Sequence, residues 1–121
     1  MPTVGAEDVG IFVSQSGETK DVLNALYAAE KQGMQCFGLA NVIGSTLTRA
    51  SVSSLPLCCG YEISVPATKT FTNQVVTFLY LAYRMAGRDT QELAAIPALM
   101  DQTLEMVAAQ VETIAAEING W

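Results

Sequence analysis

Histidine is missing altogether from the 121 residues. That removes the commonest general acid–base side chain and the commonest zinc ligand. Basic residues are scarce: six Lys and Arg stand against twelve Asp and Glu, for a net charge of −6. A nucleic acid or an anionic membrane needs a basic face, so neither is an expected partner. A phosphate ligand stays open, because backbone amides and helix ends hold one with little help from lysine. Charged residues make up 15% and hydrophobic ones 50%, which argues against disorder. No apolar run is long: Val75 to Ala82 falls far short of the roughly 20 residues that cross a bilayer. The N-terminal stretch carries Glu7 and Asp8 and no basic segment, so no signal peptide is expected. Cys36, Cys58 and Cys59 form no CxxC pair. Without histidine as well, no metal and no cofactor are expected. The cysteines are expected to be buried small hydrophobes in a reducing compartment. A cytoplasmic chain with one modest core follows.

What is present is an α/β pattern. Val9 to Val13 is a short continuous apolar run, suited to a strand covered on both faces. Thr19 to Gln32 reads helical, with an apolar stripe through Val22, Leu23, Leu26 and Ala29 and a stop at Gly33. Gln35 to Ala40 is a second strand, Ser45 to Ala50 a short helix, and Ser54 to Cys58 a third strand. Gly60 to Ala67 is a loop. Thr68 then caps a helix from Lys69 to Met85 that is apolar nearly all round and is expected to be mostly buried. Residues 91–121 differ. From Pro97 on, Met100, Leu104, Val107, Val111, Ile114, Ile118 and Trp121 recur at alternating spacings of four and three. That is a heptad seam on a helix of the order of 35 Å. It can pack on its own sheet, on a partner chain, or lead to a further domain.

Three loops follow the three strands, at 14–19, 41–45 and 60–67. An open parallel sheet places all of them at its carboxyl edge, where ligands bind. In the first, Ser14, Ser16 and Thr19 can each donate to a phosphate oxygen, and Gly17 permits close backbone approach. The N–H groups of Gly17 to Thr19 are the free donors of a helix start, and Glu18 is expected to point away and support that start. A serine-rich turn that only caps its helix has the same composition. Asn41 and Ser45 are ligand contacts or turn formers. Glu62 hydrogen-bonds a polyol, pairs with Lys69, or is simply solvated. A cation at the first helical position, Lys69, points to an anionic ligand or to Glu62.

The segments SQSGETKDVLNAL (14–26), LANVIGSTLTRAS (39–51) and GYEISVPATKTFTNQVV (60–76) resemble, in that order, the sugar isomerase (SIS) domain. Most closely they resemble the first SIS domain in the isomerase half of the glutamine–fructose-6-phosphate aminotransferases, over about Val9 to Gly87. The resemblance implies a three-layer, flavodoxin-like parallel sheet, here truncated to about three strands, with a long C-terminal helix. It implies that Ser14, Gln15, Ser16 and Thr19, with Gly17, hold a sugar phosphate. It places Val65 and its neighbours Ala67 and Lys69 against the sugar. Ala67 stands where family members often have serine. The family begins with a helix and two further strands, the first ending in a GTS-like turn. This chain starts at what corresponds to the third strand. The edge of VGIFV is therefore expected to need a cover from another chain, the N-terminus or the C-terminal helix.

These readings divide the chain into a partial SIS domain, 1–90, and a heptad-patterned helix, 91–121. The expected function is a phosphosugar-binding module of aminosugar metabolism, taking a ligand such as fructose-6-phosphate or glucosamine-6-phosphate, as a homodimer or with a companion chain. One alternative is a phosphosugar isomerase or deglycase completed across an oligomer interface. Another is an assembly module with a vestigial pocket. Glu62 is the sole candidate catalytic residue, and isomerisation needs two placed acid–base groups.

Overall fold

The computed structural model describes residues 4–63 and 67–120. Three strands, β1 (Val9–Ser14), β2 (Gln35–Ala40) and β3 (Ser53–Pro56), form one sheet in the order β1-β2-β3, and both pairings are parallel. Helix α1 (Lys20–Lys31) joins β1 to β2, and α2 (Thr46–Ala50) joins β2 to β3. Helix α3 (Lys69–Met85) follows, then a 3-10 turn at Gln91–Ala95 and helix α4 (Ile96–Asn119). The parallel α/β sheet is the one the apolar runs call for. Gly33, at φ 81, ends α1 as a left-handed residue, its N–H donating to Glu30 O at 2.9 Å.

The chain divides into two units, Met1–Thr77 and Phe78–Trp121. In the first, Leu26 and Ala29 of α1, Cys36 and Ala40 of β2 and Leu47 of α2 form the buried core, with Phe12, Val22, Leu23, Met34 and Ala50 packed against it. The register places Phe12 opposite Gly38 and Ser14 opposite Ala40, so alternate residues of β1 and β2 present one face to α1 and α2. The other face is barer. Val9 is 62% exposed and Ile11 44%, so β1 is covered on one face, not on both as its continuous apolar run suggested. Such a run says that both faces want cover, and within the described residues only one receives it. Among the described residues, strand β1 also stands at the sheet edge. An apolar groove of about 520 Å³ opens beside it, lined among others by Gly10, Phe12, Ala25, Ala29 and Met34.

Helix α3 departs from expectation in the same way. Only Thr70 is buried, while Phe71, Val75, Phe78, Leu79 and Tyr80 are exposed. The all-round apolar sequence asks for a cover that the described residues do not supply. The cysteines also differ from the expectation of burial: Cys36 is buried, Cys59 is half-buried and Cys58 is exposed, and all three are free. Cys36 sits in the core, where burial pushes its thiol pKa up. Cys58 and Cys59 lie past the last ladder residue of β3, outside that core.

In the second unit, Arg88 packs 4.6 Å above the Tyr83 ring and meets Glu92 at 3.4 Å. Helix α4 runs 24 residues with proline in its first turn and no buried residue. Met100, Leu104, Val107, Val111, Ile114 and Ile118 of the heptad seam are all exposed. No described helix is long and apolar enough to cross a membrane.

Candidate functional site

Parallel pairing puts the carboxyl ends of β1, β2 and β3 on one rim, and with them the loops after each strand. The phosphate-loop candidate comes straight off β1. Ser14, its last residue, is buried, and its Oγ lies 2.8 Å from Thr19 Oγ1. The same oxygen accepts the Gly17 N–H at 3.0 Å. Ser16 Oγ accepts the Glu18 N–H at 3.1 Å. Two of the amides expected to be free are thus engaged by the loop's own hydroxyls, because a short Ser-x-Ser-Gly turn brings side-chain oxygens within reach of the next N–H groups. Helix α1 has no side-chain cap, so its first-turn donors remain for an outside acceptor. Gln15 and Ser16 are half-buried, and Thr19 is exposed.

The second loop locks onto the first. Gln15 O accepts the Asn41 N–H at 3.0 Å, and Gly17 O accepts the Leu47 N–H at 2.9 Å. Gly17 is buried and takes φ 68. A Cβ there would lie 1.9 Å from Ser45 Oγ, so the position needs glycine for conformation and for space. Glu18 does not support its own helix. Its carboxylate reaches across to the start of α2 and accepts the Thr46 N–H at 2.7 Å. That amide, with the Thr46 side chain and nearby Arg49, holds the Glu18 carboxyl below its usual range. Arg49 itself donates to Gly44 O.

Asn41 then ties in the third loop. Its Oδ1 accepts the Cys59 N–H at 2.9 Å and its Nδ2 donates to Gly60 O at 2.7 Å. Its side chain serves as a bridge between loops, a role beside the ligand contact and the turn former that the sequence suggested.

Glu62 caps α3. Its Oε1 accepts the N–H groups of Thr68 at 3.0 Å and Lys69 at 2.9 Å, and its Oε2 accepts that of Thr70 at 3.2 Å. Thr70 Oγ1 donates to Oε2 as well. The Thr70 hydroxyl and the three amides pull the Glu62 pKa down to about 2, against a smaller rise from desolvation. Thr68, expected to cap α3 itself, donates its own hydroxyl to this carboxylate. Lys69 does not pair with Glu62 through its ammonium: Nζ donates to Tyr61 O at 2.6 Å. Lys69 and Ala67 are both exposed, and Val65 lies outside the described residues. Sequence reasoning missed the capping carboxylates and the Asn41 bridge. The available signal was an acidic residue shortly before a helix start with unsatisfied amides.

A serine turn at a strand-to-helix junction, locked to the loops beside it on the carboxyl rim of a parallel sheet, is the arrangement of an open α/β domain with its loops gathered on one edge. The sequence matches the SIS domain family over residues 1–84, and the chain belongs to that family. It is 41% identical over 120 residues to glutamine–fructose-6-phosphate aminotransferase of Pyrobaculum aerophilum, covering 93% of this chain and 20% of the relative. The Aquifex aeolicus enzyme of the same name is 40% identical, with 93% and 19% covered. The chain thus spans about a fifth of the length of these relatives. Among solved structures, the C-terminal domain of glucosamine-fructose-6-phosphate aminotransferase from Francisella tularensis superposes with TM-score 0.70 at 29% identity, covering 98% of this chain and 35% of that one. Glucosamine-6-phosphate deaminase from Thermotoga maritima shares the fold, with TM-score 0.73 at 21% identity and coverage of 89% and 35%.

Proposed function

We propose that the chain is a phosphosugar-binding module of aminosugar metabolism, with Ser14, Gln15, Ser16, Gly17 and Thr19 around the phosphate and the 60–67 loop, with Val65, Ala67 and Lys69, beside the sugar. The observation that carries it is the joining of the three rim loops through Gly17, Ser45 and Asn41 in a chain of the SIS family. The relatives act on fructose-6-phosphate by name, which favours a hexose or hexosamine 6-phosphate. Hydroxyls and first-turn amides supply the donors, at roughly 1.5–3 kcal/mol for each bond to a charged group. Calorimetry with fructose-6-phosphate and glucosamine-6-phosphate tests it. Saturable heat at a stoichiometry near one supports the reading, and no heat with either sugar ends it.

Isomerisation by this chain alone is not part of the proposal. Glu62, the catalytic candidate, is engaged by Thr68, Lys69 and Thr70, and Glu18 by Thr46. The edge position of β1 and the bare heptad face of α4 favour assembly, as a homodimer or with a companion chain, with residues 1–90 carrying the ligand and 91–121 the contact. Exposed, unpaired Cys58 fits a cytoplasmic setting.

A further inference from the structure

Cys58 and Cys59 are adjacent free thiols on the same rim as the phosphate loop. Leu57, the residue after the ladder, is buried, its N–H donating to Ala40 O at 3.0 Å. The chain then turns sharply, and Cys58 takes φ 54, the left-handed region that L side chains adopt only when the surroundings impose it. Among the described residues, the hydrogen bonds of the two sulfurs run to carbonyls of their own turn: Cys58 Sγ lies 3.7 Å from Pro56 O and Cys59 Sγ 3.5 Å from Leu57 O. Such contacts are weak, and neither sulfur joins the core. The backbone of this corner is held by Asn41. Oδ1 of Asn41 accepts the Cys59 N–H, while the N–H of Asn41 donates to Gln15 O in the phosphate loop. The thiol corner and the phosphate loop therefore share one clamp.

We propose that Cys58 and Cys59 form a thiol-oxidation site for a peroxide-class oxidant, in which a disulfide between the two neighbours draws the Cys59 amide off Asn41 and loosens the phosphate loop. The exposed Cys58 sulfur, as thiolate, attacks a peroxide oxygen. The O–O bond breaks, an S–O bond forms, and water or an alcohol leaves, giving a sulfenic acid. The Cys59 sulfur then displaces that hydroxyl. The S–O bond breaks, the S–S bond forms, and a second water carries away the Cys59 proton. In sum two thiols lose two electrons and two protons, and the peroxide gains them. The ring so closed contains the Cys58–Cys59 peptide, and the N–H of that peptide is the group Asn41 holds. Turning that peptide into a small ring shifts the donor from its acceptor. A dithiol reductant reverses the change.

The oxidation stands on the thiols alone, and its effect on ligand rests on the phosphosugar reading. The test treats the purified chain with hydrogen peroxide, then alkylates it and measures intact mass, the Asn41 side-chain amide resonances and fructose-6-phosphate affinity. Expected are a monomer lacking two hydrogens, displaced Asn41 resonances and affinity lowered roughly 5- to 150-fold, the usual span of coupling between two sites. Dithiothreitol should restore all three. Cys59→Ser and Cys58→Ser each remove one half of the bridge, and in both, peroxide should leave the Asn41 resonances in place. Disulfides only between chains, or no bridge at all in the parent, would overturn the proposal. So would a bridge that forms while the Asn41 resonances stay unmoved. If the reduced chain binds no sugar, the phosphosugar reading fails, while mass and resonances still decide the oxidation.

Discussion

Gly17 and Ser45 meet so closely that a methyl group on the first would overlap the hydroxyl of the second, at 1.9 Å. The contact joins the 14–19 loop to the start of α2, and Gly17 reaches it at φ 68. Gly17→Ala should therefore cost about 2 kcal/mol or more, from a left-handed alanine plus the overlap. Denaturant unfolding measures it, and adding Ser45→Gly should return part of the loss. A Gly17→Ala protein as stable as the parent would show the close approach to be dispensable.

Thr19 is exposed and Ser16 half-buried, whereas Ser14 is buried. Ser16→Ala and Thr19→Ala should each weaken fructose-6-phosphate binding by about one to two powers of ten while unfolding stability changes little. Ser14→Ala should lower stability as well, since its oxygen closes the turn onto Gly17. Parent-like affinity in both the Ser16 and Thr19 variants would remove the cradle assignment.

Asn41→Ala removes two hydrogen bonds to the third loop, worth about 1–3 kcal/mol together. Hydrogen exchange at the Cys59 amide should speed up ahead of any change in the core. Unchanged protection of that amide would mean the loop holds itself.

Glu62 carries a pH signature. Its folded pKa lies at about 2, below the ordinary 4.5, so the charged form is favoured in the folded state. The stability it contributes is present above the ordinary value and is lost as pH falls from about 5 toward 2. Glu62→Gln should flatten the acid limb of thermal unfolding over that window and fray the start of α3. An identical acid limb in the variant would assign the loss to other carboxylates.

Helix α4 predicts an assembly. Val111 lies in the middle of the exposed seam. Val111→Asp should shift sedimentation toward the monomer at a concentration where the parent associates. The same mass for both would exclude the seam as the contact.

Much of this was legible in the residues. Gln35–Ala40 and Lys69–Met85 begin and end where strand composition, Gly33 and Gly87 place them. Strand β3 starts and ends earlier than its apolar residues suggest, at Ser53–Pro56, because pairing with Phe37–Ala40 and the left-handed turn at Cys58 set its limits. Burial was less legible. Phe71 and Val75 announce an apolar face, but periodicity does not say what covers it. Glu18 and Glu62 were read beside their sequence neighbours, yet Glu18 acts on Thr46, 28 positions away. Such a partner is set by the crossover and not by local pattern.

Strand β1 leaves its outer row of peptide groups without a ladder among the described residues. Any extended segment that arrives there inherits a fixed alignment from Val9 to Ser14, and Ser14 is also where the proposed phosphate turn begins. Zipping at the margin would therefore stiffen the start of that turn from behind. Occupancy of that border and affinity for the proposed sugar ester become two readouts of one tether.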